Sequence, residues 1–496
     1  MNKEEMIKKY KDYQDKVNAY GLLLNTTYFD KETIAPIKGN QYRNKMLNIM
    51  SGESYMIETN PEMIKLVDEL SKMDLGEDLN RDVYLTKKSL ESISKFSKDE
   101  IMEFDLACSN SFDAWIEAKN KNDYKLFDSH LKKLIELSKM RANRRNDKEI
   151  AYNVMLDDFE EGMTIDKYDE FFDLVKKELI PLIKQISEKN IDDSFLYKYY
   201  PKDKQVQFNK ELLKYINLDS SWGYMGISEH PFTNGFSKYD VRITTSYDEH
   251  NVASNIFSVI HETGHAHYEH NVLEKYEGTN IRKCISSGMH ESQSRFLENY
   301  IGRRKSFWTN LYPVLQDLFK ENLGDVSLDD FIKAINVSKP SLIRTEADEL
   351  TYPIHILIRY EIEKGIFDGS ISTDNLNEVW NQKYKEYLGI DVPSDTEGIL
   401  QDIHWSSASF GYFPTYALGS AFGAQFIRQM EKDIDIDTLL EENNFGSIVD
   451  YLRDNIQFDG ALHNFDYILN RATHESFNPN YYIEYLKNKY KNLYDL

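Results

Sequence analysis

Only 11 prolines interrupt 496 residues. That scarcity constrains the fold more than any other feature, because proline ends helices by removing an N–H and clashing with the preceding turn. From Met1 to about Leu213, apolar residues recur three or four apart between lysines and glutamates, as in 100–119, 124–145 and 164–189. This is the spacing of successive amphipathic helices. No fixed-period repeat and no low-complexity linker divides the chain, so a mostly α, continuous helical body is expected rather than beads on a string.

Composition narrows the partners. With 83 acidic against 60 basic residues, the formal net charge is -23, which repels phosphate backbones and argues against nucleic acid. Cys108 and Cys284 lie far apart with no CxxC, so neither a disulfide framework nor a thiolate metal site is expected. The opening MNKEEMIKKYKDY lacks the apolar core of a signal peptide, and no run of 18 apolar residues follows. A cytoplasmic protein without a membrane span is the expectation.

The pattern changes between about 220 and 247. Trp222, Gly223, Gly226, Pro231, Gly235 and the alternating Val241-Arg-Ile-Thr-Thr245 predict two or three short strands with turns. An edge strand of such a sheet can hold an extended peptide through main-chain hydrogen bonds. Ser246 and Glu249 then have the S-x-x-E form of a capping box. They predict a helix from about 247 to 271, with Ile256, Val259 and Ile260 on its buried face.

That helix carries His261-Glu262-Thr263-Gly264-His265. Histidines four apart leave one face of a helix, so both imidazoles can reach a single metal ion. Glu262 sits roughly 100° around the helix from His261, where it can take a proton from a water held at that ion. A hydrolytic site keeps three protein ligands and one open position, and Glu269, Glu274, Glu277, Glu291 and Glu298 are candidates for the third. Glu269 lies too far along the same helix to converge, and Glu274 and Glu277 fall near a loop. A second predicted helix, Ser286 to about Arg304, carries Glu291 and Glu298; Glu291 is the choice and Glu298 the fallback. His267, His270 and His290 raise a three-histidine alternative, but His267 and His270 point to other faces. The longer pattern with a third histidine six residues on would need one at position 271, which is Asn271.

Six short patterns in order then make a resemblance specific: HPF at 230–232, DVRIT at 240–244, HETGH at 261–265, HESQS at 290–294, IRTEAD at 343–348 and GILQDIHW at 398–405. The chain resembles the carboxypeptidase Taq family of metallocarboxypeptidases. The first half is similar more loosely, as in Tyr28-Phe-Asp-Lys-Glu-Thr33. The resemblance implies one mostly helical, two-lobed zincin peptidase with a deep central groove and a small sheet next to the metal helix. Residues 1–215 would form a lid and first lobe, 216–310 the sheet and metal helices, and 311–496 the second lobe. It implies homodimers that remove single residues from peptides with a free C-terminus, with broad side-chain preference. It also implies one divalent metal per chain on His261, His265 and Glu291. Zinc is the default on ligand chemistry, and the resemblance leaves cobalt open.

His404 and Tyr412 fall in a segment that resembles the transition-state-stabilising segment of related helical peptidases, with Tyr416 as the neighbouring choice of phenol. Arg344 is the candidate cation for the terminal carboxylate, since a planar guanidinium binds it bidentately; a salt bridge to Glu346, Asp348 or Glu349 is its rival. His230, Asp240, Arg242 and Gln401 are assigned with Arg344 and Tyr416 to the substrate side, Asp240, Arg242, Gln401 and Asp402 shaping the site rather than reacting. One position departs from related glutamate zincins: four residues after Glu291 stands Arg295 instead of an acid, so another oxygen must orient the ligand histidine. An endo-acting oligopeptidase with the same chemistry is the alternative enzyme, and a silent peptide-binding protein the alternative from another class.

Overall fold

Helix follows helix from Lys3 to Leu493, with one small sheet between Gly223 and Thr245. The computed structural model describes residues 1–496. The three amphipathic stretches form helices Lys98–Lys121, Lys125–Arg145 and Ile165–Ile186. Ser97 starts the first with a capping box, its hydroxyl accepting from the Glu100 N–H and the Glu100 carboxylate from the Ser97 N–H. Both N–H groups would otherwise lack an intrahelical partner. Apolar faces meet in one contiguous core of 96 buried residues spread from Leu85 to Tyr494. A separate small core around Tyr10, Leu66 and Val83 joins the first helices. No helix is long and apolar enough to cross a membrane.

Three strands form: β1 (Gly223–Ile227), β2 (Thr233–Ser237) and β3 (Asp240–Thr245). Their order is β1-β3-β2, with β1 parallel and β2 antiparallel to β3. Val241 and Ile243, two apart on β3 and therefore on one face, bury themselves with Ala266 of the following helix. The sheet is thereby fixed to the element that carries the histidines.

That element, the motif helix, spans Val252–Asn271. It begins five residues later than the S-x-x-E pattern predicts. The cap is Asn251, whose side chain accepts from the Ser254 N–H at 3.2 Å. Ser246 instead offers its carbonyl to Asn255 Nδ2, and the Glu249 carboxylate accepts from the Lys202 N–H. The carboxylate end of the expected capping box is thus taken by another helix's N-terminus.

The second helix, Ser287–Arg295, continues as a π-helical segment over Phe296–Ile301, where the Gly302 N–H reaches back to the Leu297 carbonyl at 2.7 Å. Its N-terminus is held from a distance: the buried Glu160 carboxylate accepts from the Gly288 N–H at 2.9 Å. The motif helix crosses it at Gly264, where a Cβ would lie 2.4 Å from the Gln293 carbonyl oxygen and 2.6 Å from Ser294 Cα. Only a bare Cα permits this approach, so Gly264→Ala must push the two helices apart. Overpacking of this kind costs about 1–3 kcal/mol, and thermal unfolding of the metal-free protein is expected at a lower midpoint. An unchanged midpoint would show that the crossing yields freely.

Candidate metal centre

His261 and His265 leave one face of the motif helix a turn apart, ring centroids 5.0 Å from each other. Glu291 arrives from the second helix with Oε2 3.7 Å from His261 Nε2 and 3.5 Å from His265 Nε2. The three donor atoms all lie within 4.8 Å of one another. Donors about 2.0–2.2 Å from a tetrahedral ion stand roughly 3.3–3.6 Å apart, so these separations seat a divalent cation with little contraction. Two imidazoles and a carboxylate also match that ion chemically.

Arg295 fills the position where an acid was missing, and it bridges two carboxylates: Nε donates to Glu291 at 2.8 Å and Nη1 to Glu298 at 3.0 Å. Glu298, on the π-helical segment, lies 2.8 Å from His261 Nδ1. It therefore holds the outer ring nitrogen of His261 instead of joining the cluster. Burial would raise the Glu291 carboxyl, but Arg295 and the two imidazoles hold it well below the usual carboxylate range. Glu298, equally buried, is held down to about 2 by Arg295 and His261. Burial pushes His265 down to about 4, which favours the neutral imidazole that a metal requires.

Glu262 is buried beside the cluster, and its carboxylate Oε2 accepts from Thr233 Oγ1 at 2.6 Å. Burial raises its pKa, with His261 and the Thr233 hydrogen bond pulling the other way. Strand β2 thus sets the direction in which this carboxylate points. Nothing in the sequence pattern marks Thr233 beyond its place directly after the HPF pattern.

A groove of about 1180 Å³ opens over these residues. Tyr412 and Tyr416 line it from the start of helix Phe413–Asp433, with Tyr352 and Arg344 nearby. His404 stands behind the two phenols, not on the groove wall. Its ring stacks on Tyr412 with centroids 5.4 Å apart, and Nε2 is 3.3 Å from the Tyr416 hydroxyl. Burial pushes it down to about 4, leaving a neutral ring that orients a phenol.

Arg344 reaches the groove already engaged. Nε and Nη2 donate to Asp402 Oδ1 at 3.0 and 2.8 Å, and Nη1 donates to the Tyr352 hydroxyl at 3.1 Å. Asp402, not Glu346, Asp348 or Glu349, is its ionic partner, and Arg359 holds the other Asp402 oxygen at 2.7 Å. Gln401 supports this network from behind, its Oε1 accepting from the Arg344 N–H and Arg359 Nη2, both at 2.9 Å. Asp240 and Arg242 pair with each other through two 2.7 Å bonds, and Arg242 stacks on Phe29 and Phe236, away from the groove lining. His230 is exposed on the loop before β2. His267 Nε2–H donates to the Ile216 carbonyl, and His270 stacks on Trp222; neither meets the cluster.

A helical body that sets a histidine pair, a distant carboxylate and a second carboxylate in one groove defines a metallopeptidase. The model for the carboxypeptidase Taq (M32) metallopeptidase family matches residues 9–490, and the chain belongs to that family. It is 42% identical over 492 residues to carboxypeptidase 1 of Bacillus subtilis, covering 98% of each. Its fold superposes on the M32 carboxypeptidase of Deinococcus radiodurans with a TM-score of 0.96 at 28% identity, covering 99% of this chain and 100% of the other. The Pyrococcus furiosus carboxypeptidase gives 0.94 at 33% identity, covering 99% of both. The chain is a metallocarboxypeptidase, and its family implies a divalent metal.

Proposed function

We propose that this enzyme removes C-terminal residues one at a time from peptides with a free terminal carboxylate, with broad side-chain preference. The observation that carries this reading is the convergence of His261, His265 and Glu291 next to a buried, hydrogen-bonded Glu262 in an open groove. The three residues would hold one divalent ion, zinc by donor type, with cobalt as an alternative. When bound, such an ion lowers the pKa of water to about 7 and polarises a carbonyl.

The chain's own groups do the rest. Glu262 takes the proton of the attacking water on a carboxylate oxygen and hands it to the departing amine. Thr233 keeps that carboxylate aimed at the groove. Tyr412 and Tyr416 supply hydroxyl donors for the oxyanion, with His404 positioning Tyr416; one such donor is typically worth about 2.7–4 kcal/mol. Arg344 receives the terminal carboxylate through guanidinium hydrogens left over by Asp402, while Gln401 keeps it in place. Asp240 and Arg242 support the sheet. The free thiols Cys108 and Cys284 suit a reducing cytoplasm, and a homodimer is proposed on the family resemblance.

Matched peptides with a free and an amidated C-terminus test the exopeptidase reading, with products followed by mass and a chelator as control. The free peptide should give a ladder shortened from its C-terminal end, and the chelator should stop it. A charge-assisted contact contributes about 1.5–3 kcal/mol, so the amide should react roughly 10–150-fold more slowly in kcat/KM. Equal rates, or internal cuts, would favour the endo-acting alternative.

A further inference from the structure

Glu269 and His290 lie beside the centre without entering the ligand cluster. The His290 ring sits between His265 and Tyr268, with centroid separations of 4.6 and 5.5 Å. Its Nδ1 is 2.6 Å from His265 Nδ1, and its Nε2 is 3.0 Å from Glu269 Oε1. Only one proton can occupy the space between two ring nitrogens that close. His265 turns Nε2 toward Glu291, 3.5 Å away, so Nε2 is the nitrogen free to bind a cation and its proton belongs on Nδ1. His265 Nδ1–H then donates to His290 Nδ1. The remaining His290 proton must sit on Nε2, where it donates to the Glu269 carboxylate.

We propose that His290 and Glu269 are positioning residues, a two-link relay that fixes the tautomer and ring orientation of His265 for metal binding. The proposal rests on the assignment of His261, His265 and Glu291 as ligands. Outer partners of this kind set ligand geometry and basicity. His261 receives the same service in a single link from Glu298. Glu269 follows His265 by one turn on the same helix face, and the inserted imidazole carries its charge back to the ring. Two features hold the relay in place. Arg282, itself buried, lies 3.5 Å from Glu269 Oε2. Opposite, β2 presents Gly235, where any Cβ would overlap the Glu269 carboxylate.

The test is zinc affinity of the full chain by chelator competition, with the visible spectrum of the cobalt-loaded protein as a readout of shell geometry that is independent of turnover. His290→Phe keeps ring volume but loses both nitrogens. It should weaken zinc binding about 10–100-fold and shift the cobalt bands. His290→Asn, whose Oδ1 can stand near the lost Nδ1, should recover part of that affinity. Glu269→Gln should also weaken binding, because the relay then ends on an uncharged acceptor. Parental zinc affinity and cobalt spectra in both His290→Phe and Glu269→Gln would overturn the proposal; if circular dichroism shows His290→Phe unfolded, Glu269→Gln decides alone. The ligand assignment fails by a different result, parental zinc affinity in Glu291→Gln.

Discussion

Glu262→Gln is expected to lower turnover by about a thousandfold or more, within the range of a lost general acid–base group, while metal content stays at the parental value. Glutamine preserves the shape of the side chain, and its carbonyl oxygen can still accept from Thr233 Oγ1, which now donates to Glu262 at 2.6 Å. What disappears is the ability to receive a proton. Metal content should not follow activity downward, because the donor cluster consists of His261, His265 and Glu291. Steady-state kinetics with saturating peptide, paired with elemental analysis, separates the two effects. Near-parental turnover in this variant would remove Glu262 from the chemistry. Loss of zinc together with activity would mean that Glu262 helps hold the ion.

The parts legible in the sequence are those that depend on short spacing. The four-residue interval of His261 and His265 specifies a shared helix face whatever surrounds it, and the long amphipathic stretches specify helices. Ser246 and Glu249 also matched a local rule, yet the Lys202 N–H captures the Glu249 carboxylate and Asn251 becomes the cap. Local capping is worth about 0.5–2 kcal/mol, an amount that a few tertiary hydrogen bonds can redirect. Glu298 lies in a segment with π winding, whose phase no periodicity rule for α-helices gives. Glu269 and His290 both drew attention as rival ligands. Glu269 sits one turn beyond His265 on the same helix, but His290 reaches them both through the helix crossing at Gly264, and pattern along the chain carries no distance across that crossing. For Arg344 the limiting step was similar. Its partner Asp402 is 58 residues away, so nearby acids such as Glu346 were the only rivals that sequence proximity could suggest. His404 was legible as part of the site, but its place behind Tyr412 and Tyr416 required the packing of helix Phe413–Asp433.

Glu291→Gln is expected to weaken zinc binding by more than the 10–100-fold attributable to an outer partner, because it removes the only charged donor of the cluster. The amide keeps the volume and a carbonyl oxygen, so the loss isolates charge. Breaking a buried ion pair can itself cost about 3–5 kcal/mol by stranding the partner, and that must be separated from metal loss. Arg295 is not stranded here: it still has Glu298 at 3.0 Å and lies over the Tyr352 ring at 4.4 Å. The metal-free variant should therefore unfold cooperatively with its helical content retained, while zinc added to the parent raises its unfolding midpoint and zinc added to the variant does not. That difference follows from linkage, since a ligand stabilises only the state that binds it. A zinc-dependent rise of the same size in both proteins would show that the two histidines suffice and that Glu291 serves Arg295 alone.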